Sequence, residues 1–377
     1  MMRVLHIYSG NLYGGVETLL ATLARERGVC PAMEPHYALC FEGRLSQELR
    51  AAGAPVYQLG QVRVRQPWTV LRARAAMRHL LRAHRFDVAV CHLAWSQAIL
   101  GPVVHSEGVP LVFWLHGHTD GKHWLERWAK LVPPDLVLAN SDFVRECVPS
   151  MYAGVACRRI YYPVVRSVSA AGERQTTRRK LDLGDDEVVI MQVSRMEAWK
   201  GHELHLRALS LLADVPGWTC LIVGGAQRRS EKTYLARLQE LAQSLGIAGR
   251  ARFLGERSDV PRLLSGADIH CQPNTGPEPF GINFIEGLAA GLPVVTTAIG
   301  AAKEIITGQC GILVPVEPQA LAAALRQLVA SRELRRQLGG FGPQRARQLC
   351  DPATQIPELA AIFDTVTGSS SDGRQVL

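Results

Sequence analysis

"VVIMQVSRMEAWKGHE", residues 188–203, carries the reading of the fold. Its first seven residues make a near-continuous apolar run of strand length, the pattern of a strand covered on both faces. The chain then turns through a polar stretch to Gly201 and enters a helical pattern near 203–213. A buried strand feeding a helix, repeated, builds a parallel sheet with helices on both faces. The repeat continues downstream. "TCLIVGG" (219–225), "ARFLG" (251–255), "DIHCQP" (268–273) and "PVVTT" (293–297) read as strands, with helices near 231–245, 259–265, 282–290 and 318–329. Upstream, "RVLHIY" (3–8), "HYALCF" (36–41), "DVAVCH" (87–92), "PLVFWLH" (110–116) and "DLVLAN" (135–140) alternate with helical stretches such as 17–27 and 69–84. Two doubly wound, Rossmann-like α/β domains are expected, with ligand beyond the carboxyl ends of the strands in a cleft between facing domains.

The 377 residues suffice for two such domains. The expected division is 1–165, a linker at 166–187 that holds no long apolar run, 188–348, a C-terminal helix at 349–366 and a disordered tail at 367–377. With 47% hydrophobic and 20% charged residues the composition is that of a globular protein. Nine scattered cysteines include no Cys-x-x-Cys pair, so neither zinc nor a disulfide framework is indicated, and reduced thiols in a cytoplasmic protein are the expectation. The longest central apolar run, "VPLVFWL" (109–115), is far short of a membrane span, and the start lacks the long apolar core of a signal peptide. A net charge of +8 favours anionic partners without choosing among them.

"EPFGINFIEGLAAGLPVV", residues 278–295, places two acids around a turn. Pro279 disfavours helix at Glu278, so the helix begins around Phe280 to Ile282, and Glu286 lies about one turn in. Free N–H groups of the first turn suit a phosphate, and Gly281 lets the backbone approach closely. The flanking carboxylates suit hydroxyl donors such as the diols of a ribose and a sugar. The alternative is that Glu278 only caps the helix and Glu286 is solvated. Arg195 and Lys200, just beyond strand 188–194, can neutralise a diphosphate; each alone is also an ordinary surface charge. In "GNLYGGVE" (10–17) Gly14 and Gly15 offer N–H groups to the same anion, with a simple turn as the alternative. Neither the dinucleotide glycine fingerprint nor a phosphate loop ending in Gly-Lys-Ser/Thr occurs. His116, His118 and His123 lack metal-ligand spacing, so an imidazole facing a hydroxyl is expected at His116 instead.

The ordered set Gly14-Gly15-Val16-Glu17, His116-Gly117, Arg195 with Lys200-Gly201, Val223-Gly224-Gly225 and Glu278-x7-Glu286 resembles the retaining family-4 glycosyltransferases of GT-B architecture, over about residues 3–329. That resemblance implies transfer of a sugar from a nucleoside diphosphate sugar with retained anomeric configuration, without a metal or other cofactor. It makes residues 1–165 the acceptor-side domain and 188–348 the nucleotide-sugar-binding domain. It implies that Arg195 and Lys200 bind the donor diphosphate, with Gly14, Gly15 and Gly224 close to it. Glu286 would hold the ribose hydroxyls, and Glu278 the transferred sugar, with Phe280, Gly281 and Ile282 supplying N–H groups. His116 would sit at the sugar, and the loop around Glu256 and Arg257 would meet the base. The implied acceptor is a glycan, a lipid-linked molecule or a small molecule. Two departures stand out: Tyr162-Pro163-Val164-Val165 replaces the family's Asn-Gly-Val-Asp-like turn, and Gly287 follows Glu286 where alanine is commoner.

Eight arginines and no acid lie between Glu48 and Asp87. Arg74, Arg78, Arg82 and Arg85 share a helical face beside Val70, Met77 and Leu81. Contact with an anionic membrane, peripheral on its inner face, is one reading. An amphipathic helix packed on the sheet is favoured, because one apolar face cannot both line a core and enter lipid. A nucleotide-sugar 2-epimerase of similar architecture is the alternative enzyme. A dinucleotide oxidoreductase is disfavoured by the missing fingerprint, and a nucleic-acid-binding protein by arginines without interleaved aromatics.

Overall fold

The computed structural model describes residues 1–10, 13–165 and 172–372. The chain divides into two compact units, one of residues 1–165 and 350–377, the other of 166–349. The first unit is built on seven strands: β1 (Met2–Tyr8), β2 (Met33–Leu39), β3 (Val56–Gln58), β4 (Val88–His92), β5 (Leu111–Leu115), β6 (Leu136–Ala139) and β7 (Cys157–Arg159). They pair in parallel in the order β3-β2-β1-β4-β5-β6-β7. The second holds β8 (Val188–Val193), β9 (Trp218–Val223), β10 (Ala251–Gly255), β11 (Ile269–Gln272), β12 (Val294–Thr297) and β13 (Gly311–Val314), also all parallel, in the order β10-β9-β8-β11-β12-β13. In each sheet the chain winds outward from its first strand and then reverses, so the topological switch lies between β1 and β4 in the first unit and between β8 and β11 in the second. Both units are therefore α/β and doubly wound.

The central strands are covered on both faces, which is why they read as apolar runs; Val189, Ile190 and Met191 of β8 are fully buried. The strands that the apolar-run reading passes over are β3, β7 and β13, all at sheet edges. Two of them have three residues each, partly exposed. Segment 172–187 is no bare linker: Glu173–Lys180 is a helix of the second unit. Buried Arg178 in it donates to the carbonyls of Gly266, Gly184 and Glu187 and pairs with Asp268, so its long polar sequence hides a docked element. Residues 166–171 lie outside the described residues. The expected C-terminal helix is longer than 349–366: it runs from Pro352 to Asp372, within the first unit, and so takes in the start of the tail expected to be disordered. Residues 373–377 lie outside the described residues.

The arginine-rich helix, Pro67–Ala83, buries Val70, Ala73, Met77, Leu80 and Leu81 in the core of the first unit, so its apolar stripe is not open to lipid. Arg74 donates to the carbonyls of Ile99 and Ala98, and Arg78 and Arg82 both reach Glu107. No helix among the described residues is long and apolar enough to cross a membrane.

Candidate active site

In the second unit the residues singled out from sequence gather at the carboxyl ends of β8, β9 and β11. Beyond β8, Arg195 Nη2 lies 2.9 Å from Glu197 Oε2, which also accepts from Trp199 Nε1 at 3.2 Å. Lys200 Nζ lies 2.7 Å from Glu278 Oε2 and 3.9 Å from the centre of the Trp199 ring. Both cations thus already have carboxylate partners, Glu197 for Arg195 and Glu278 for Lys200. The Lys200–Glu278 pair joins the loop after β8 to the loop after β11, across the topological switch. Both side chains are mostly buried, so their mutual attraction is screened far less than that of a surface pair. Beyond β9, Gly224 (φ +154) is pressed against the Ser194 carbonyl, and a side chain there would collide with the backbone that leads into Arg195.

The helix Ile282–Ala289 starts after Gly281, whose φ of +91 suits glycine and sets the sharp entry. No described residue accepts from the N–H of Gly281 or Ile282, which leaves both donors unpaired at the positive end of the helix. Phe280 anchors the turn as a buried side chain. Asn283 Nδ2 donates to the Val193 carbonyl at 3.1 Å and ties the first turn of the helix to β8. Glu286 lies one turn in. The residue is half-buried, and desolvation by the surrounding protein pushes its carboxyl up to about 7. None of the described residues hydrogen-bonds this carboxyl, which leaves it open to a hydroxyl donor. Glu278 and Glu286 are therefore unlike: one is ion-paired, the other is isolated and hard to ionise.

Arg257 lies just beyond the carboxyl end of β10. It makes a two-pronged pair with Asp259 at 2.8 and 2.7 Å and lines a groove of about 390 Å³ with Glu173, Lys180 and Arg262. Its neighbour Glu256 instead packs against Gly225, beside Gly224.

In the first unit, Gly14 precedes the helix Gly15–Arg25, whose first-turn N–H groups have no acceptor within the helix. Asn11 and Leu12 of the same loop lie outside the described residues. His116 departs from expectation: it is buried, and neither ring nitrogen is free to meet a sugar hydroxyl. Nε2 is 2.8 Å from His92 Nδ1, and Nδ1 is hydrogen-bonded to the Tyr162 hydroxyl. His92 Nε2 in turn lies 3.0 Å from His6 Nδ1. Register explains the chain: His6 pairs with Val90, two residues before His92, and His92 pairs with Trp114, two residues before His116. The three imidazoles thus climb one sheet face diagonally across β1, β4 and β5. Burial pushes His6 and His116 down to about 3 and His92 well below its usual value, so all three are neutral. Leu93, immediately after His92, adopts φ +66 where β4 turns straight into the helix Leu93–Ser106. His118 stacks on Phe143 and His123 caps the helix Trp124–Ala129, so the three histidines of that loop do not converge.

Sequence reasoning missed Trp199, Gln192, Gln272 and Asn274, and marked Tyr162 only as part of a departure from the family's turn. Gln192 had a signal, as the one polar residue of the otherwise apolar β8.

Comparison with known proteins places the chain in a family. Residues 173–345 match the family described as "Glycosyl transferases group 1", and residues 5–178 match the "Glycosyl transferase 4-like domain". A D-inositol 3-phosphate glycosyltransferase of Geodermatophilus obscurus is 34% identical over 187 residues, covering 46% of this chain and 41% of that protein. A phosphatidyl-myo-inositol mannosyltransferase of Mycobacterium leprae is 34% identical over 134 residues, covering 34% of this chain and 36% of its own length. The matched stretches thus span less than half of these curated relatives. Among solved structures, Anabaena HepE in complex with UDP and glucose superposes with a TM-score of 0.85 at 23% identity, covering 97% of this chain and 100% of that one, a likeness of fold.

Proposed function

This chain belongs to the group 1, family-4-type glycosyltransferases of GT-B architecture, and from that premise we propose that it moves a sugar from a nucleoside diphosphate sugar to an acceptor hydroxyl with retention of configuration. The observation that carries the proposal is the convergence of Arg195, Lys200 and the N-terminus of helix Ile282–Ala289 beside two carboxylates of opposite character. Cations and unpaired N–H groups suit the diphosphate, whose negative charge grows as the anomeric carbon–oxygen bond breaks. Glu278 accepts from a hydroxyl of the transferred sugar, and Glu286 from the ribose. Lys200 then serves both the phosphate and Glu278, while Arg195 shares its fork between Glu197 and the leaving group. The acceptor attacks on the face that the phosphate leaves, and a phosphate oxygen takes its proton, so no metal or protein nucleophile is required.

UDP and a UDP sugar occupy structures of similar fold, which makes uridine the first base to test. The inositol in the names of two relatives makes a polyol phosphate the first acceptor class. The test incubates the protein with hexose conjugates of uridine, guanosine and adenosine diphosphates and a panel of polyol phosphates. Nucleoside diphosphate release and the anomeric configuration of the product are read by NMR. Retention, with turnover strongly reduced in Arg195→Ala while the fold survives, is expected. An inverted product would overturn the retaining mechanism, and near wild-type turnover in Arg195→Ala would overturn its leaving-group role.

A further inference from the structure

Beneath the Lys200–Glu278 pair lies a buried amide network whose hydrogen-bond polarity is fixed by its own connections. Gln192 near the end of β8 and Gln272 at the end of β11 are fully buried neighbours across the topological switch. Both donate to the backbone carbonyl of Lys200, at 3.0 and 2.9 Å. Gln272 Nε2 has two hydrogens, and the second goes to Asn274 Oδ1 at 2.7 Å. With its oxygen taken, Asn274 can offer only its amide N–H to Glu278, and Nδ2 lies 3.0 Å from Glu278 Oε2. The opposite amide orientation would set the Asn274 oxygen against a carboxylate and its nitrogen against another amide nitrogen. The backbone confirms the rigidity: Thr297 Oγ1 donates to the Asn274 carbonyl at 2.6 Å, Ala301 N to the Glu278 carbonyl at 2.9 Å, and Thr275 N to the Trp199 carbonyl at 2.8 Å.

The network has an asymmetric outcome. Glu278 Oε2 receives both Lys200 Nζ and Asn274 Nδ2, whereas no described residue donates to Oε1. One carboxylate oxygen is committed to the protein and the other is left to accept from outside. We propose that Asn274, itself oriented by Gln272, is a positioning residue that fixes the Glu278 carboxylate so that only Oε1 meets the transferred sugar, making Asn274 a determinant of sugar recognition separate from diphosphate binding. This rests on the donor site proposed above and adds to it a division of labour. Lys200 holds the pair electrostatically and can turn toward a phosphate. Asn274 Nδ2 has no other acceptor among the described residues, so it keeps Glu278 in place when Lys200 is shared.

The decisive variant is Asn274→Asp. It keeps the shape and the oxygen that Gln272 needs, but it replaces the N–H with an acceptor and sets a second carboxylate against Glu278. Asn274→Ala, which removes both contacts, is the companion. UDP, GDP and ADP and their hexose conjugates are titrated calorimetrically into the wild-type chain and both variants, and KM and kcat are measured for any conjugate that turns over. The expected result is nucleoside diphosphate affinity within about twofold of wild type in Asn274→Ala, which adds no charge beside Lys200. The added affinity due to the sugar should fall roughly tenfold or more in Asn274→Asp, as loss of a hydrogen bond to a charged group implies. A wild-type ratio of conjugate to diphosphate affinity in Asn274→Asp would overturn the proposal, and so would an equal loss for both ligands, which would mark Asn274 as structural support only. Failure of the underlying donor site looks different: the wild type itself would bind none of the six ligands.

Discussion

At the scale of single residues, Gly287 shows how a helix can prefer the weaker helix former. Alanine in a helix interior is favoured over glycine by about 1 kcal/mol, yet a Cβ on Gly287 would stand 2.8 Å from His270 Cγ and 2.9 Å from its Cβ and Cδ2. These are the rigid base of a fully buried ring on β11, which cannot swing away as a long side chain would. Gly287→Ala is therefore expected to lower the thermal midpoint, with overpacking costing about 1–3 kcal/mol, and adding His270→Ala should recover part of that loss. A raised midpoint in Gly287→Ala alone would contradict the clash. Glu286 offers a second test. Its carboxyl is raised to about 7 by burial, so the folded state holds a proton that the unfolded state releases near the ordinary carboxylate value. Its contribution to stability is complete below that ordinary value and is lost as pH rises through about 7. A diol donating to the carboxylate favours the ionised form, so affinity for a nucleotide sugar should rise as pH increases through the same region, and Glu286→Gln should flatten the profile. A nucleotide sugar is the right ligand, because its diphosphate is esterified at both ends and loses no proton there. An unchanged slope in the Gln variant would remove Glu286 from the donor contact.

At the scale of elements, what was legible in the sequence was what burial writes into composition. β8, β9 and β11 are apolar because both faces are covered, and the start of helix Ile282–Ala289 is announced by Pro279 and Gly281. Edge strands β3 and β7 left no such mark, being short and half exposed. Register left none at all. Nothing in the letters says that β1 aligns His6 with Val90, and without that offset three histidines near strand ends look like three separate groups. The stack explains why His116, expected to face a hydroxyl, is instead closed by His92 and Tyr162. Tyr162 belongs to the stretch Tyr162–Val165 that departs from the family's turn, so the departure and the closed imidazole are one feature. The ion pairs Arg195–Glu197 and Lys200–Glu278 were hidden for a related reason. Sequence distance of 2 or 78 residues carries no sign of which acid a cation will choose.

At the scale of the whole molecule, the chain does not end where its two-domain pattern does. The polypeptide leaves the second unit at its last residue, 349, and its final segment is counted with the first, so neither half of the sequence is a complete folding unit. The helix Pro352–Asp372 packs against β4 and the short turn Arg27–Val29. It buries Ile356, Leu359, Ala360, Phe363 and Val366, and the preceding Cys350 carbonyl accepts from Val164 N at 2.9 Å. Full burial of four large side chains at about 1.5–3 kcal/mol each amounts to roughly 6–12 kcal/mol as an upper estimate, comparable to the whole stability of a domain at about 5–15 kcal/mol. Removing residues 350–377 should therefore unfold the first unit selectively. Amide hydrogen exchange on the shortened protein should show lost protection in β1, β4 and β5, while β8, β9 and β11 exchange as slowly as in the full chain. Equal protection of both sheets after the deletion would mean that the terminal helix decorates the first unit without supporting it. A uniform loss would mean that the two units do not fold separately, because among the described residues the core of the second includes none beyond 349.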